Sequence, residues 1–427
     1  MNIDITDRGA VPGGKVLCTA EIQRAIDDCN ASGGGRVTVP SGVFLTGTIW
    51  LRDNVELHLG HGSVLKASAD MNDYNALDAY PQNYGCDAEM WVGKHLIIAH
   101  ETTGTAITGT GTIDGSGDAF YGEPDIRPRY YWKDGLALAK DPKVMRPGQL
   151  VCFIECDDVT IRDVKLTNMP CWGLFLLGCE NVTIQGLRVF NDKTHANTDG
   201  IDIDTCRHVT VSDCVIDTGD DAIAIRGCAH RVIKKKITAC EYVTITNCTL
   251  ASSACLFRVG VGQGTIRHVR ASNLTLERGE AGMCFQTDFG GHGHVNIEDV
   301  NFSGVSAYGV SYPVIIWEGN GANIRDITIE NYRAWCMGSL RMNAAHKDTV
   351  SGITLRNCDF RIIDSPFEMT ENVKNMRGRH LCEASNINEL NFENLRILCD
   401  EERAKLWDGG ARITNCTGKY GFEGETI

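Results

Sequence analysis

Residues 182–187 read VTIQGL: an apolar residue, Thr, two further positions, then Gly and an apolar residue. Comparable stretches begin 23 to 34 residues apart along much of the chain. They stand at 159–164 (VTIRDV), 209–214 (VTVSDC) and 243–248 (VTITNC), with later copies near Val269, Ile297 and Ile324 and looser ones around Ile353 and Ile387. Each period suits two or three short strands and is too short for a strand plus a packed helix. The pattern predicts an all-β fold, a right-handed parallel β-helix.

The N-terminal segment has the pattern of one helix, from Thr19 to about Asn30. Its apolar residues recur at helical spacing, Thr19 is the expected N-cap, and the glycines at 33–35 are expected to end it. A solenoid needs its first coil covered, because bare strand edges promote aggregation. We therefore expect residues 1–35 to cap a single domain that spans residues 1–427.

Two longer stretches interrupt the repeats, near residues 70–94 and 116–148. Loops of this length in a compact fold are usually functional, so the second, which is rich in aromatic residues, is expected to wall a sugar-binding groove. An oligomer contact is the alternative. The residues that carry this expectation are Phe120, Tyr121, Arg127, Arg129, Tyr130, Tyr131 and Trp132.

Composition excludes several partners. The net charge of −14 argues against nucleic acid and anionic membranes, since no basic field would attract them. No signal peptide and no apolar stretch of membrane-spanning length is visible. The 19 cysteines lack metal-ligand spacing and are typical of buried thiols in a reducing compartment. These features predict a cytoplasmic protein; the oligomeric state cannot be inferred.

Three aspartates lie in two equivalent stretches. Asp199 stands in NTDGIDI (197–203), and Asp220 and Asp221 stand in TGDDAIAI (218–225). Superposing the stretches gives Asp199 and Asp221 the same place in successive repeats, about 4.8 Å apart at the backbone if coils stack. Asp220 then lies beside them. Carboxylates this close raise the pKa of at least one member, which provides an acid next to a base, as glycoside hydrolysis requires.

These motifs, with GTGTIDG at 109–115 and the N-terminal cap, resemble glycoside hydrolase family 28, the polygalacturonase-like enzymes. The resemblance extends to about residue 335. It implies an inverting hydrolysis of a pectin-derived or related plant saccharide, without cofactor or metal ion. Asp220 would protonate the leaving oxygen, while Asp199 and Asp221 would hold and deprotonate water.

Two basic motifs of that family are missing. Cys255 stands where the family has the histidine of Gly-His-Gly, and residues 284–286 read Cys-Phe-Gln where it has Arg-Ile-Lys. In the relatives those basic residues bind the galacturonate carboxylate, so we expect a substrate other than standard polygalacturonate. Arg258 could replace the lost charge or pair with Asp202. Gln286 suits neutral hydroxyl groups.

Three further residues are candidates for substrate binding. Asn197 adjoins the acids and can donate to a sugar hydroxyl or to Asp199. His292, in a glycine-rich loop, could reach over the groove or be an ordinary surface histidine. Trp317, with Glu318, could line a more distant sugar subsite or fill the solenoid interior.

Other functions stay open at this point. A β-helix lyase could use clustered carboxylates to bind Ca²⁺. An epimerase, a sugar transferase or a non-catalytic carbohydrate-binding solenoid would share the fold.

Overall fold

The computed structural model describes residues 1–126, 138–289, 293–365 and 368–421. These residues form two compact units. The first contains Met1–Asp125, Ala139–Asp220 and Arg231–Ile237, and the second contains Asp221–His230 and the chain from residue 238 onward. His292 and the wall residues expected at 127–132, namely Arg127, Arg129, Tyr130, Tyr131 and Trp132, lie outside the described residues.

Short parallel strands build the first unit. They are Asn2–Asp4, Gly35–Val39, Gly42–Thr46, Ile49–Trp50, Val55–Leu59, Ser63–Ala67, Trp91–Val92, Ile97–His100, Ala106–Gly109, Thr112–Asp114, Arg146–Pro147, Val151–Ile154, Asp157–Arg162, Lys165–Thr167, Leu174–Leu177, Glu180–Gln185, Arg188–Phe190, Ile201–Asp204, Arg207–Ser212 and Val215–Asp217.

Longer parallel strands build the second unit. They are Ile223–Gly227, Ala239–Thr246, Thr249–Ala251, Cys255–Gly262, Thr265–Leu276, Gly279–Gln286, Asn296–Glu318, Ile324–Cys336, Leu340–Ala344, Val350–Ile362, His380–Ser385, Ile387–Leu398, Gly409–Thr414 and Gly418–Lys419.

Helices are few. The α-helices are Thr19–Ala31, Glu371–Arg377 and Glu401–Ala404, and the 3₁₀ turns are Ile5–Arg8, Met71–Asp73, Asp87–Glu89, Gly117–Ala119 and Ala229–Arg231. Two further strands, Asp125–Ile126 and Leu138–Ala139, flank the segment that is not described. Among the described residues, no helix is long and apolar enough to cross a bilayer.

The sequence repeats correspond to in-register strands on successive coils. In the first unit Val159, Val182 and Val209 are direct neighbours. In the second unit the neighbour of Val269 is Val300, so the copy placed at Ile297 begins three residues later. The expected register at that coil was wrong because Ile297 and Val300 are both apolar and fit the repeat template equally well.

The fifth position of each repeat forms a corner. Asp163, Gly186, Asp213 and Asn247 all have φ between 56° and 67°. This left-handed conformation is open to Gly and tolerated by Asp and Asn, whose short polar side chains bond the local backbone. The Asp/Asn/Gly preference of the repeat is therefore a backbone requirement.

The predicted N-terminal helix is present and runs one residue further, to Ala31. Its apolar stripe, Ile22, Ala25, Ile26 and Cys29, is fully buried. Thr19 is not the N-cap. Its hydroxyl accepts the Gly47 backbone N–H at 2.7 Å, and Cys18 holds the cap position without a side-chain bond.

The aromatic core of the second unit provides a stability test. Phe285 is completely buried against Phe302, with ring centroids 6.0 Å apart. We expect Phe285→Ala to lower the free energy of unfolding by about 3–5 kcal/mol, because it removes buried contacts and leaves a cavity. Urea denaturation measures the change. The control Phe190→Ala removes a ring that is 39% exposed and should cost less than about 1 kcal/mol; equal losses would contradict the packing described.

Candidate active site

Two of the predicted acids lie together in the first unit. Asp199 stands two residues before the strand Ile201–Asp204, and Asp220 stands three residues after the strand Val215–Asp217. A carboxylate oxygen of Asp199 and one of Asp220 lie within 4.8 Å of each other. Asp199 is buried and Asp220 is half-buried. Asp221 follows Asp220 directly in the chain and belongs to the second unit. Paired carboxylates of this kind can exchange a proton or bind a hard cation.

Thr218 and Gly219 explain why the acids sit at a fixed corner. The Thr218 hydroxyl bonds the Thr198 carbonyl, and the Gly219 backbone N–H donates to the Thr198 hydroxyl at 3.1 Å. A Cβ at Gly219 would lie 2.1 Å from the His195 carbonyl oxygen, which no side chain tolerates. The segments before Asp199 and Asp220 are thus locked together by contacts that only this Thr-Gly sequence allows.

A buried arginine supports this corner from below. The side chain of Arg146 is completely buried, and its Nη2 donates to Asn197 Oδ1 at 2.7 Å and to the Glu89 carbonyl at 3.0 Å. The backbone N–H of Asn197 in turn donates to Asp220 Oδ2 at 3.0 Å. Asn197 therefore lies next to the acids, as predicted, and its side chain is held by the protein. Arg146 carried no signal in the sequence, because it lies in the stretch 116–148 that interrupts the repeats.

Tyr121 lies beneath the same corner. Its hydroxyl bonds Arg146 and donates to the Ala196 carbonyl at 2.6 Å, while its ring stacks on His195 with centroids 3.8 Å apart. Burial raises the pKa of Tyr121 well above its usual value and lowers that of His195 to about 4, so both groups are neutral near pH 7. Phe120 and Tyr121 were expected in a wall around a sugar-binding groove; both are buried, and Tyr121 bonds the backbone before Asp199 from the interior.

Asp221 has its own set of partners in the second unit. The Arg258 guanidinium bonds both Asp221 oxygens, through Nε to Oδ2 and through Nη2 to Oδ1 at 3.2 Å. The Cys255 backbone N–H also donates to Oδ1, at 2.9 Å. Burial alone would lower the pKa of Arg258, but the Asp221 carboxylate outweighs it and raises the pKa well above the usual range. The pair fixes the orientation of Asp221 and gives it a countercharge.

Cys255 does not supply the chemistry of the histidine it replaces. The Cys255 thiol stays protonated and neutral near neutral pH. Its hydrogen bond with Cys284 and its burial raise the pKa of Cys255 well above the usual value. Arg258 Nη2 contacts its sulfur at 3.3 Å.

A cleft of about 380 Å³ opens on the same face of the second unit. Alternating residues of neighbouring strands line it in two columns. One column is Arg258, Cys284, Ile315 and Arg341, and the other contains Gln286, Trp317 and Asn343. Three predicted substrate-binding residues, Arg258, Gln286 and Trp317, thus share one cleft.

The side chains of Trp317 and Glu318 lie on opposite faces of their strand. Trp317 is 41% exposed in the cleft, so it does not fill the interior. Glu318 is completely buried and accepts bonds from the backbone of Asn320 at 2.8 Å and of His346 at 3.0 Å. Glu318 is therefore a structural residue. Phe289, Arg341 and Asn343 also line the cleft and were missed, because no repeat template singles them out.

The Arg258–Asp221 pair can be tested by stability. Arg258→Met should lower the free energy of unfolding by about 3–5 kcal/mol, since it removes the countercharge of a buried carboxylate. The double variant Arg258→Met with Asp221→Asn should recover part of that loss. Arg270→Met, which breaks the exposed pair with Asp299, is the control and should cost less than about 1 kcal/mol in the same urea denaturation. A loss at Arg258 no larger than the control would contradict a tightly held pair.

Comparison with known proteins identifies the family. The model of Glycosyl hydrolases family 28 matches residues 29–332. A probable polygalacturonase of Vitis vinifera is 28% identical over 386 residues, covering 83% of this chain and 73% of its own. An endo-polygalacturonase of Pectobacterium carotovorum is 26% identical, covering 79% and 83%. The exopolygalacturonase structure from Thermotoga maritima aligns with a TM-score of 0.70 at 22% identity, covering 93% and 91%, which confirms the predicted parallel β-helix. The chain belongs to glycosyl hydrolase family 28 and is a glycosidase.

Proposed function

We propose that this glycosidase hydrolyses a pectin-type polyuronate or an oligosaccharide derived from it, with Asp199, Asp220 and Asp221 as its catalytic residues. One observation carries the proposal: Asp199 and Asp220 approach within 4.8 Å, and Asp221 follows Asp220 in the chain. The names of the relatives support the pectic substrate, since two of them are polygalacturonases.

Each acid has a role that fits its partners. Asp220 is the general acid: it is half-buried, and the Asn197 N–H that donates to its Oδ2 at 3.0 Å holds the carboxyl group in place for proton transfer to the leaving oxygen. Asp221, whose orientation is fixed by Arg258, acts with Asp199 to hold and deprotonate the attacking water. In this scheme the proton of the water passes to a carboxylate as the new C–O bond forms.

The sugar next to the cleaved bond is expected to differ from plain galacturonate. Arg258 is directed at Asp221, and Cys255 is a neutral thiol. Gln286 and Trp317 instead offer an amide and an exposed ring, which suit hydroxyl groups and the apolar face of a sugar. A neutral or modified residue at this position fits these groups.

Inversion at the anomeric carbon is part of the proposal and rests on the family. Closely spaced carboxyl groups, about 5–5.5 Å apart, are typical of retaining enzymes, so spacing alone does not favour inversion. NMR of the first product anomer formed from a pectic oligosaccharide discriminates the two outcomes.

Asp220→Asn tests the general acid. We expect turnover of pectic oligosaccharides to fall at least about 100-fold with unchanged folding, because the amide cannot donate the proton. The control Asp163→Asn changes a corner aspartate with positive φ and should leave turnover unchanged.

Three results would contradict the assignment: nearly full rate in Asp220→Asn, an unsaturated product that absorbs in the near ultraviolet, or a rate abolished by a Ca²⁺ chelator. The last two would indicate a lyase.

Arg146→Lys tests the support beneath Asp220. Lysine lacks the planar fork that reaches Asn197 Oδ1, so Asn197 and its N–H lose their anchor. We expect kcat to fall about 10- to 100-fold with little change in KM, because the acid is displaced relative to the bound sugar.

Arg377→Lys is the matched control for a buried arginine. Arg377 is 2% exposed and lies over the Trp407 ring in the second unit. Both variants should lose stability in urea denaturation, but only Arg146→Lys should lose kcat. Equal kcat values in the two variants would mean that Arg146 has a structural role alone.

A further inference from the structure

A second outward face of the second unit carries an unusual set of side chains. Four parallel strands place residues 306, 333, 359 and 396 in one column, and residues 308, 335 and 361 in the next. The intervening residues, such as Ala334 and Phe360, are buried, so both columns point outward. A groove of about 470 Å³ runs along the first column, where Ser306, Arg333, Asp359 and Arg396 line it, and none of the predicted site residues does.

Three arginines and one aspartate occupy these columns. Arg396 bonds Asp359 Oδ2 at 2.9 Å. The side chains of Arg333 and Arg361 make no hydrogen bond or ion pair within the part of the chain that the structure describes; Arg361 only lies over the Trp335 ring, 5.8 Å from its centroid. On a chain of net charge −14, this is a local excess of positive charge.

The nearest acidic side chains are accounted for. Glu330 and Glu393, on the adjoining stretch of the same coils, both pair with Arg356. They therefore do not neutralise Arg333 or Arg361.

Asp359 adds an unmet hydrogen-bond requirement. The residue is only 8% exposed, and its Oδ1 atom has no donor among the described residues. Leaving a buried acceptor unpaired is unfavourable, and a donor from a bound molecule would recover that cost. A hydroxyl group is the simplest donor, because it adds no charge next to the arginines.

Aromatic rings stand in the second column, two residues further along the same strands than the residues that line the groove. Tyr308 and Trp335 stack with centroids 5.1 Å apart and an interplanar angle of 15°, and Tyr308 is 44% exposed. Rings with an apolar body and a polar edge are suited to contact with sugar rings.

We propose that this groove is an accessory binding site for an acidic oligosaccharide. Carboxylates along the chain would bind Arg333 and Arg361 in the forked geometry that guanidinium groups favour, and a hydroxyl would donate to Asp359. Arg333 and Arg396 are two strands apart, about 10 Å at the backbone, so the site spans more than one sugar. The choice of a polyuronate rests on the proposed function; such a site would hold the polymer near the enzyme while the cleft acts on it.

Other anions fit the groove less well. A phosphate or sulfate ion needs the arginines but neither the aspartate nor the rings. Nucleic acid would be repelled by the strong negative net charge of the protein.

The test is calorimetric titration of a short, partly esterified oligogalacturonate into the inactive Asp220→Asn protein, because its esterified sugars suit the cleft and its free carboxylates suit the groove. Two sites are expected. Adding Arg333→Gln and Arg361→Gln should remove one site and weaken retention on immobilised polygalacturonate at least about 10-fold, because two carboxylate contacts are lost. Adding Trp317→Ala instead should weaken only the other site.

The matched control is Arg162→Gln with Arg412→Gln, which removes the same charge from two exposed arginines elsewhere. It should retain both sites. In an otherwise wild-type enzyme, the groove variant should keep its rate on short substrates within twofold and lose rate on the polymer.

Several results would overturn the proposal: a single site in the Asp220→Asn protein, two sites in the groove variant, an equal loss in the control, or equally tight competition by inorganic phosphate or DNA. Failure of the proposed function gives a different result, namely no hydrolysis of any pectic substrate by the wild-type enzyme while the groove variant still loses a binding site.

Discussion

In-register stacking of parallel strands is the constraint on which this molecule depends. Side chains alternate between the interior and the surface along each strand, so a slip of one residue would exchange every buried residue with an exposed one. The repeats prevent this by placing Val or Ile at the buried positions and Asp, Asn or Gly at the left-handed corner. The corner residues thus act on function indirectly, because they fix the register that forms the columns of the cleft and the groove.

Two buried arginines hold the acidic side chains in fixed positions, as the strand register does for the rest of the chain. Arg146 anchors Asn197, which bonds Asp220, and Arg258 bonds Asp221 directly. Burying a guanidinium is unfavourable unless its donors are satisfied, and Arg146 meets this need at its two Nη atoms mainly with backbone carbonyls, while its Nε has no partner among the described residues. Because those carbonyls belong to fixed strands and loops, the arginine can hold a neighbouring segment in a single position.

The sequence was sufficient for whatever repeats or depends on local spacing. The strand template predicted the fold, and the helical spacing of Ile22 to Cys29 predicted the N-terminal helix. The acids at 199 and 220 were found because the two stretches that contain them, NTDGIDI and TGDDAIAI, follow one shared sequence template. Arg146 could not be found, since its partners lie 24 to 57 residues away in the chain and the stretch that contains it interrupts the repeats. Thr19 and Ile297 were misplaced because neighbouring residues satisfy the same local rule.

Arg258 and Cys255 are best understood as one linked departure from the family pattern. The resemblance to the family places a histidine at position 255, where this chain has a neutral thiol. A positive charge is retained on the same strand, three residues later, but it is directed at the Asp221 carboxylate. The remaining nitrogen of the guanidinium, Nη1, donates to Gln286 Oε1 at 3.3 Å, so the charge is tied to the protein on two sides. We therefore expect recognition of the sugar to depend on the next column of the cleft, which contains Gln286, Trp317 and Asn343.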